Sequence, residues 1–286
     1  MNRAEDAFRA DIVEVGRRMY ARGYVASNDG NISIRLDDST ILTTPKSVSK
    51  GFMTPDMMVV VDLEGKKIRG ARDASSELLM HLEVYRNRPD VRAVVHAHPP
   101  TATGFAVAGI PLDRAVLAEV VTTLGSIPIA EYGTPSTPEL PAAVRRYIKA
   151  HDGLLLANHG ALTVAGDVYG AYYKMETIEH FAKISLVARQ LGREHLLSRE
   201  EVVRLQDLRG NYGIKSPAPI CADGSSPPSS DIDPASCQIV EAPSSRGARL
   251  VPTDPADLDG EIRLSYRELT ALIEDAVKAL LGGQHG

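Results

Sequence analysis

The sequence predicts an α/β fold of three layers, α/β/α, around a central sheet that is mostly antiparallel or mixed. Three observations predict it. Apolar runs with the period of strands alternate along the chain with segments of helical period. Short turns such as Asp37-Asp38 and Glu64-Gly65 join neighbouring strands directly, which a strictly parallel sheet does not permit. No G-x-G-x-x-G stands at a strand–helix turn, which argues against a dinucleotide-binding fold. With 286 residues, 43% of them hydrophobic and 24% charged, the chain can fill one large core, or a core with an appendage.

The first helix is expected over residues 4–22, where Ala7, Phe8, Ile12, Val15, Met19 and Tyr20 recur at helical spacing and Gly23 ends the pattern. Ser27 to Asn31 form a turn-rich loop. Ile32–Leu36 alternates as a half-buried strand and turns at Asp37-Asp38 into a second strand, Ile41–Thr44. A second polar loop, Pro45–Gly51, leads to a strand over Met58–Val61 and the Glu64-Gly65 turn. A helix is expected from Ser75 to Asn87, opened by Ser75-Ser76-Glu77. Apolar residues from Val91 then run into Val94-Val95-His96-Ala97-His98, a buried strand stopped by Pro99-Pro100. A short helix over 100–108 follows, then a strand over Ile127–Ala130 and a helix from Pro138 to Ala150. Leu154-Leu155-Leu156-Ala157-Asn158-His159 reads as a second buried strand that ends in a histidine. A long helix from Asp167 to Leu191 and another over 198–209 complete a domain expected to span residues 1–214.

Beyond it the composition changes. Residues 215–259 hold eight of the chain's 18 prolines, many serines and few large apolar residues, so 215–260 is expected to be a flexible linker. Ser265-Tyr266-Arg267-Glu268 is a capping box. It opens an amphipathic helix, within residues 261–286, with Leu269, Leu272, Ile273, Ala276, Val277 and Leu280 on one face; Gly282-Gly283 stops it.

Bulk properties exclude several classes of function. The net charge of −5, the absence of any basic block, the lack of tryptophan and the presence of only four phenylalanines argue against a nucleic-acid groove. No apolar run approaches the ~20 residues that span a bilayer. The start of the chain lacks the basic and apolar segments of a signal peptide, so a cytoplasmic enzyme is expected. Cys221 and Cys237 lie in the Pro/Ser-rich segment and are read as free thiols, neither of them a metal ligand.

The chemistry centres on histidine. Side chains on a strand alternate faces, so His96 and His98 point the same way, about 7 Å apart at their Cα atoms. If the strand ending at His159 lies beside theirs, three imidazoles reach one point. Three histidines with an open fourth position suit a catalytic zinc site better than a closed structural one. Serines at a helix start leave backbone N–H groups free for an anion such as phosphate, as at Ser75-Ser76. The loops Asn28–Asn31 and Pro45–Ser49 add amides, hydroxyls and Lys46.

Gly30-Asn31-Ile32-Ser33, Thr44-Pro45, Ser75-Ser76-Glu77, His96-Ala97-His98-Pro99 and Asn158-His159-Gly160 occur in this order. In order and spacing they resemble the class II aldolase/adducin family, above all its zinc-dependent L-fuculose-1-phosphate aldolases, over residues 5–210. The resemblance implies a class II aldolase-like fold with one Zn2+ per subunit on His96, His98 and His159, and Glu77 as general base. It implies a phosphate site of Asn31, Ser75, Ser76 and the loop at Thr44, Lys46 and Ser47. It further implies a small phosphorylated sugar as substrate and a homotetramer with sites at subunit boundaries.

Two departures from the family pattern bear on substrate. Lys46-Ser47 stands where those aldolases carry Ser-Gly, and Leu117 stands where spacing places a tyrosine lent by a neighbouring subunit. Tyr212 matches a C-terminal family tyrosine only by position. A sugar-phosphate 4-epimerase, a keto-acid phosphate decarboxylase and a non-catalytic adducin-like scaffold are the alternatives within the family. The epimerase ranks lower because His180 is the only histidine on the helix after Val164, and it sits beside Glu179. The scaffold would not be expected to keep the three histidines and the glutamate. The linker and terminal helix resemble the encapsulation peptides of enzymes housed in bacterial microcompartments. That resemblance implies docking on a shell protein and a place inside such a compartment.

Overall fold

The structure is a computed structural model and describes residues 3–214. The predicted linker over 215–260 and helix over 261–286, with the shell-docking role given to them, lie outside the described residues. In chain order the elements are α1 (Arg3–Ala21), β1 (Asn31–Arg35), β2 (Thr40–Thr43), β3 (Val59–Asp62), β4 (Lys67–Arg69), α2 (Leu78–Asn87) and β5 (Ala93–Ala97). They continue with α3 (Pro100–Val107), α4 (Ala118–Thr123), β6 (Ile129–Ala130), α5 (Glu139–Arg145), β7 (Gly153–Leu156), β8 (Gly160–Ala165), α6 (Val168–Gln190) and α7 (Arg199–Arg209).

The eight strands form one sheet in the order β4-β3-β2-β1-β5-β8-β7-β6. Every pairing is antiparallel except β6 with β7. The three layers follow from strand alternation. Ala93, Val95 and Ala97 of β5 pack with Ile32 and Ile34 of β1 against α1, α3 and α6. Val94, on the other face of β5, packs with Leu162 and Val164 of β8 against α2 and α5. His96 is two residues past Val94 and therefore faces the α2 side. The expected three-layer, mostly antiparallel fold is the one found.

Five local differences have identifiable causes. Helix α2 starts at Leu78, three residues after the expected Ser75. Ser75 donates its N–H to the Thr44 carbonyl and Ala74 bridges Pro45, so this stretch is held on the second loop and cannot enter the helix. Strand β4 is exposed at all three residues and carries no apolar alternation to reveal it. Helix α4 is rich in Val120, Val121, Thr122 and Thr123, poor helix formers held by packing rather than propensity. Helix α5 ends at Arg145 rather than Ala150, because the Arg146 and Tyr147 N–H groups turn to the Ala143 and Val144 carbonyls, three residues back. His159 lies in the turn between β7 and β8, and β8, not β7, is the neighbour of β5. The third imidazole therefore arrives on a hairpin turn, not on an adjacent strand end.

Candidate metal centre and anion cavity

Three backbone anchors bring the histidines together. His96 sits on β5 opposite Asn31 of β1 on one side and Leu162 of β8 on the other. One residue past the strand, His98 donates its backbone N–H to the Tyr24 carbonyl, which keeps the chain extended beyond the last ladder bond. Helix α3 then begins at once, its Thr101 and Ala102 N–H groups received by the Glu179 carboxylate of α6. In the β7–β8 turn Asn158 takes the left-handed conformation, φ 55°, which asparagine tolerates better than most residues. Gly160 presses the turn against β5: a Cβ there would stand 2.5 Å from both the Ala97 carbonyl oxygen and the His98 ring.

The three ring centroids lie 4.7–5.0 Å apart. One nitrogen of each ring falls within 4.8 Å of the others, the only such histidine, cysteine or carboxylate group among the described residues. His96 Nδ1 is 2.8 Å from the Ala161 carbonyl, a pure acceptor, so Nδ1 carries the proton and Nε2 a lone pair. His98 Nδ1 lies 3.4 Å from an Asp29 carboxylate oxygen, which orients its ring the same way. Burial holds the His96 imidazole well below its ordinary pKa. Burial first, and then the charge of His159, lowers that of His98. Two Nε2 lone pairs consequently face each other at 3.1 Å, which is repulsive unless a cation stands between the rings. Neutral imidazoles aimed at one point are the donor set of a zinc-type ion, and the site fits such a metal.

Glu77, the residue before the first turn of α2, stands beside this set. Its Oε1 is 3.0 Å from His159 Nε2 and its Oε2 3.5 Å from His96 Nε2, while Asn31 Nδ2 donates to Oε2 at 2.9 Å. Burial works against the charge of this carboxylate, but the hydrogen bond from His159 and the attraction of any proton the three imidazoles carry outweigh it and hold the acid well below the usual range.

A cavity of about 220 Å³ opens next to Glu77. Its walls are the Asn28–Asn31 loop, the Pro45–Ser47 loop with Lys50, and the Ser75-Ser76-Glu77 turn, closed by His98, Pro135 and His159. Asn31, Lys46, Ser47, Ser75 and Ser76 are thus brought to one polar space. Thr44 is not among them. It is fully buried, its Oγ1 accepts the Ile32 N–H at 3.2 Å, and its carbonyl holds Ser75. Its place is to tie the two loops together.

Sequence context does not single out Lys50, because a lysine in a polar loop reads as solvated. It is 2% exposed and donates from Nζ to the Asn28 carbonyl at 2.8 Å and the Val48 carbonyl at 2.7 Å. Burial lowers its ammonium pKa to about 8, against the pull of Asp29 and Glu77. Leu117 and His180 line a separate, larger cleft with Arg22, Tyr24 and Glu176, and His180 is exposed as expected. Tyr212 is 68% exposed and does not line the cavity beside Glu77.

Similarity to known proteins agrees with this geometry. An L-fuculose phosphate aldolase of Methanococcus maripaludis is 34% identical over 181 residues, covering 63% of this chain and 97% of that protein. A 3-oxo-tetronate 4-phosphate decarboxylase of Pectobacterium atrosepticum is 31% identical over 188 residues, covering 64% and 86%. The crystal structure of L-fuculose-1-phosphate aldolase from Thermus thermophilus superposes with a TM-score of 0.59 at 32% identity, covering 68% of this chain and all of that one. Residues 10–186 match the Class II Aldolase and Adducin N-terminal domain, and the chain is an enzyme of that family.

Proposed function

We propose that the enzyme is a zinc-dependent aldolase that cleaves a ketose 1-phosphate such as L-fuculose 1-phosphate. The products are dihydroxyacetone phosphate and a short aldehyde such as L-lactaldehyde. The observation that carries this reading is the position of Glu77, ionised, between two imidazoles of the cluster and the polar cavity. A Zn2+ held by His96, His98 and His159 would supply Lewis-acid polarisation of the ketose carbonyl. The serine and asparagine groups at Asn31, Ser47, Ser75 and Ser76, with Lys46, hold the phosphate. In cleavage the Glu77 carboxylate takes the proton of the C4 hydroxyl as the C3–C4 bond breaks, the electron pair of that bond passes toward the C2 carbonyl, and Glu77 then delivers the same proton to C3. In the reverse direction the Glu77 carboxylate removes that proton.

A decarboxylase reading has one specific observation in its favour. Two lysines, Lys46 and Lys50, line one small cavity, and Lys46 could hold the carboxylate of a keto acid beside the phosphate. In that reaction a bond to a carboxylate breaks, CO2 leaves, and the carbon takes a proton that the same glutamate relays from solvent. Zinc-loaded enzyme should release dihydroxyacetone phosphate from a panel of phosphorylated ketoses. Release of CO2 from a 3-oxo-acid phosphate, with no ketose cleaved, would transfer the assignment. The reading extends to a homotetramer, supported by Leu186, Val187, Leu191 and Leu208, which one chain leaves in water. A monomeric mass for active, zinc-loaded enzyme would remove that part.

A further inference from the structure

Helix α2 carries Glu77 at its N-terminal boundary, His81 one turn on and Tyr85 two turns on. Strand β1 carries Asn31, Ser33 and Arg35 on one face. Four residues of helix rise about 6.0 Å and two residues of strand about 6.6 Å, so the two rows keep step over two repeats. The structure uses the match at each rung. Asn31 donates to Glu77 at 2.9 Å. Ser33 Oγ lies 2.7 Å from His81 Nδ1 and 2.8 Å from Tyr85 OH. Arg35 donates to the Tyr85 carbonyl, and its guanidinium lies 4.9 Å from the centre of the Tyr85 ring. Asn31, Ser33, His81 and Tyr85 are all 2% exposed or less.

This helix needs such a device. It has no side-chain hydrogen bond at its N-cap; Ser75 ties the preceding turn to the second loop and accepts the Leu78 N–H, but these backbone bonds alone do not fix the roll of the helix that follows. Leu78, Met80, Leu82 and Val84 bury it in the core, but apolar contact is non-directional and tolerates small slides. The bonds at Ser33 are directional and out of reach of water, so sliding or turning α2 leaves His81 and Tyr85 unpaired. We infer that Ser33, His81 and Tyr85 are positioning residues that set the place of Glu77 through this ladder. The inference rests on the reading of Glu77 as the group that moves the proton. Proton transfer needs hydrogen-bond reach, and a displacement of about 1 Å far from the chemistry costs up to about 100-fold.

The test uses full-length, zinc-loaded Ser33→Ala, His81→Asn and Tyr85→Phe, with Ser33→Thr as the conservative return of the hydroxyl. Per bound zinc, kcat should fall roughly 10- to 100-fold while KM stays within about twofold, and Ser33→Thr should recover most of the loss. Parental kcat in the folded variants overturns the inference even if their unfolding midpoints drop, because the ladder then serves stability alone. Glu77→Gln, run alongside, keeps the two readings apart. If it turns over like the parent, the role of Glu77 fails. If it is dead while the ladder variants keep the parental kcat, the ladder fails. A crystal structure of Ser33→Ala needs no substrate: the Asn31–Glu77 contact should be lost, and its persistence at 2.9 Å overturns the inference. Should Ser33→Ala not fold, His81→Asn and Tyr85→Phe decide the same comparisons.

Discussion

Glu77 must be charged, half-buried and close to two imidazoles at once, and each requirement is met by a different neighbour. Burial raises its pKa; the His159 hydrogen bond, any proton carried by the imidazoles and the Asn31 amide act to keep it ionised. Glu77→Gln keeps the shape and the Asn31 contact but cannot exchange a proton. We expect it to retain zinc, measured by mass spectrometry of the metal, while kcat drops roughly 10²–10⁴-fold, the usual worth of such catalysis. Turnover within a few-fold of the parent would take Glu77 out of the mechanism. His96 and His98 were legible because a strand has period 2, which leaves no choice of face. Lys50 was not, because its burial comes from α1 lying on the loop that carries it. Gly16 has no room for a Cβ, which would stand 2.7 Å from the Lys50 carbonyl oxygen. That is a long-range packing fact, which no local pattern encodes.

Among the elements, the β7–β8 turn does most to assemble the centre. Gly160 lets β8 close onto the end of β5, where any Cβ would meet a carbonyl oxygen and the His98 ring at 2.5 Å. Gly160→Ala should destabilise the fold by about 1–3 kcal/mol, as overpacking does, and weaken zinc binding roughly 10- to 100-fold by moving a ligand. Denaturant titration and a zinc-competition assay read the two effects. Gly104→Ala in α3, where a Cβ meets nothing within 4 Å, is the control and should be neutral or slightly stabilising. Equal behaviour of the two variants would refute the crowding argument. Strands β1, β2, β3 and β5 and helices α1, α3 and α6 were legible within a few residues, because each carries buried apolar residues in a run; α7, which buries only Val202 and Arg209, was legible too, and a capping box at Ser198 and Glu201 opens it. Sheet order was not. Placing β8 between β5 and β7 depends on which hairpin folds back on which neighbour, and adjacent apolar runs in sequence do not say.

Over the whole molecule, acid stability is set by imidazoles that the fold keeps neutral. His81 on α2 and His151 before β7 are 1% and 2% exposed, and burial lowers the pKa of each from 6.5 to about 4. An unfolded chain protonates both near pH 6.5, whereas the folded chain resists until about pH 4. Between those values the unfolded state binds more protons, so stability falls as the pH drops through that window and is level above it. At about 1.4 kcal/mol per pKa unit, each histidine contributes roughly 3 kcal/mol, a large part of the 5–15 kcal/mol that holds a typical domain. Loss of zinc from the protonating cluster would add to the same slope, so the two causes need separating. His151 donates from Nδ1 to the Ser126 carbonyl at 3.2 Å and is not in the metal cluster. His151→Asn keeps a donor near that carbonyl and removes the titrating group. With zinc saturating, denaturant midpoints between about pH 4.5 and 7.5 should fall less steeply for this variant than for the parent. Identical slopes would mean that His151 is already accessible to protons in the folded enzyme, and that the acid sensitivity belongs to the metal centre and His81.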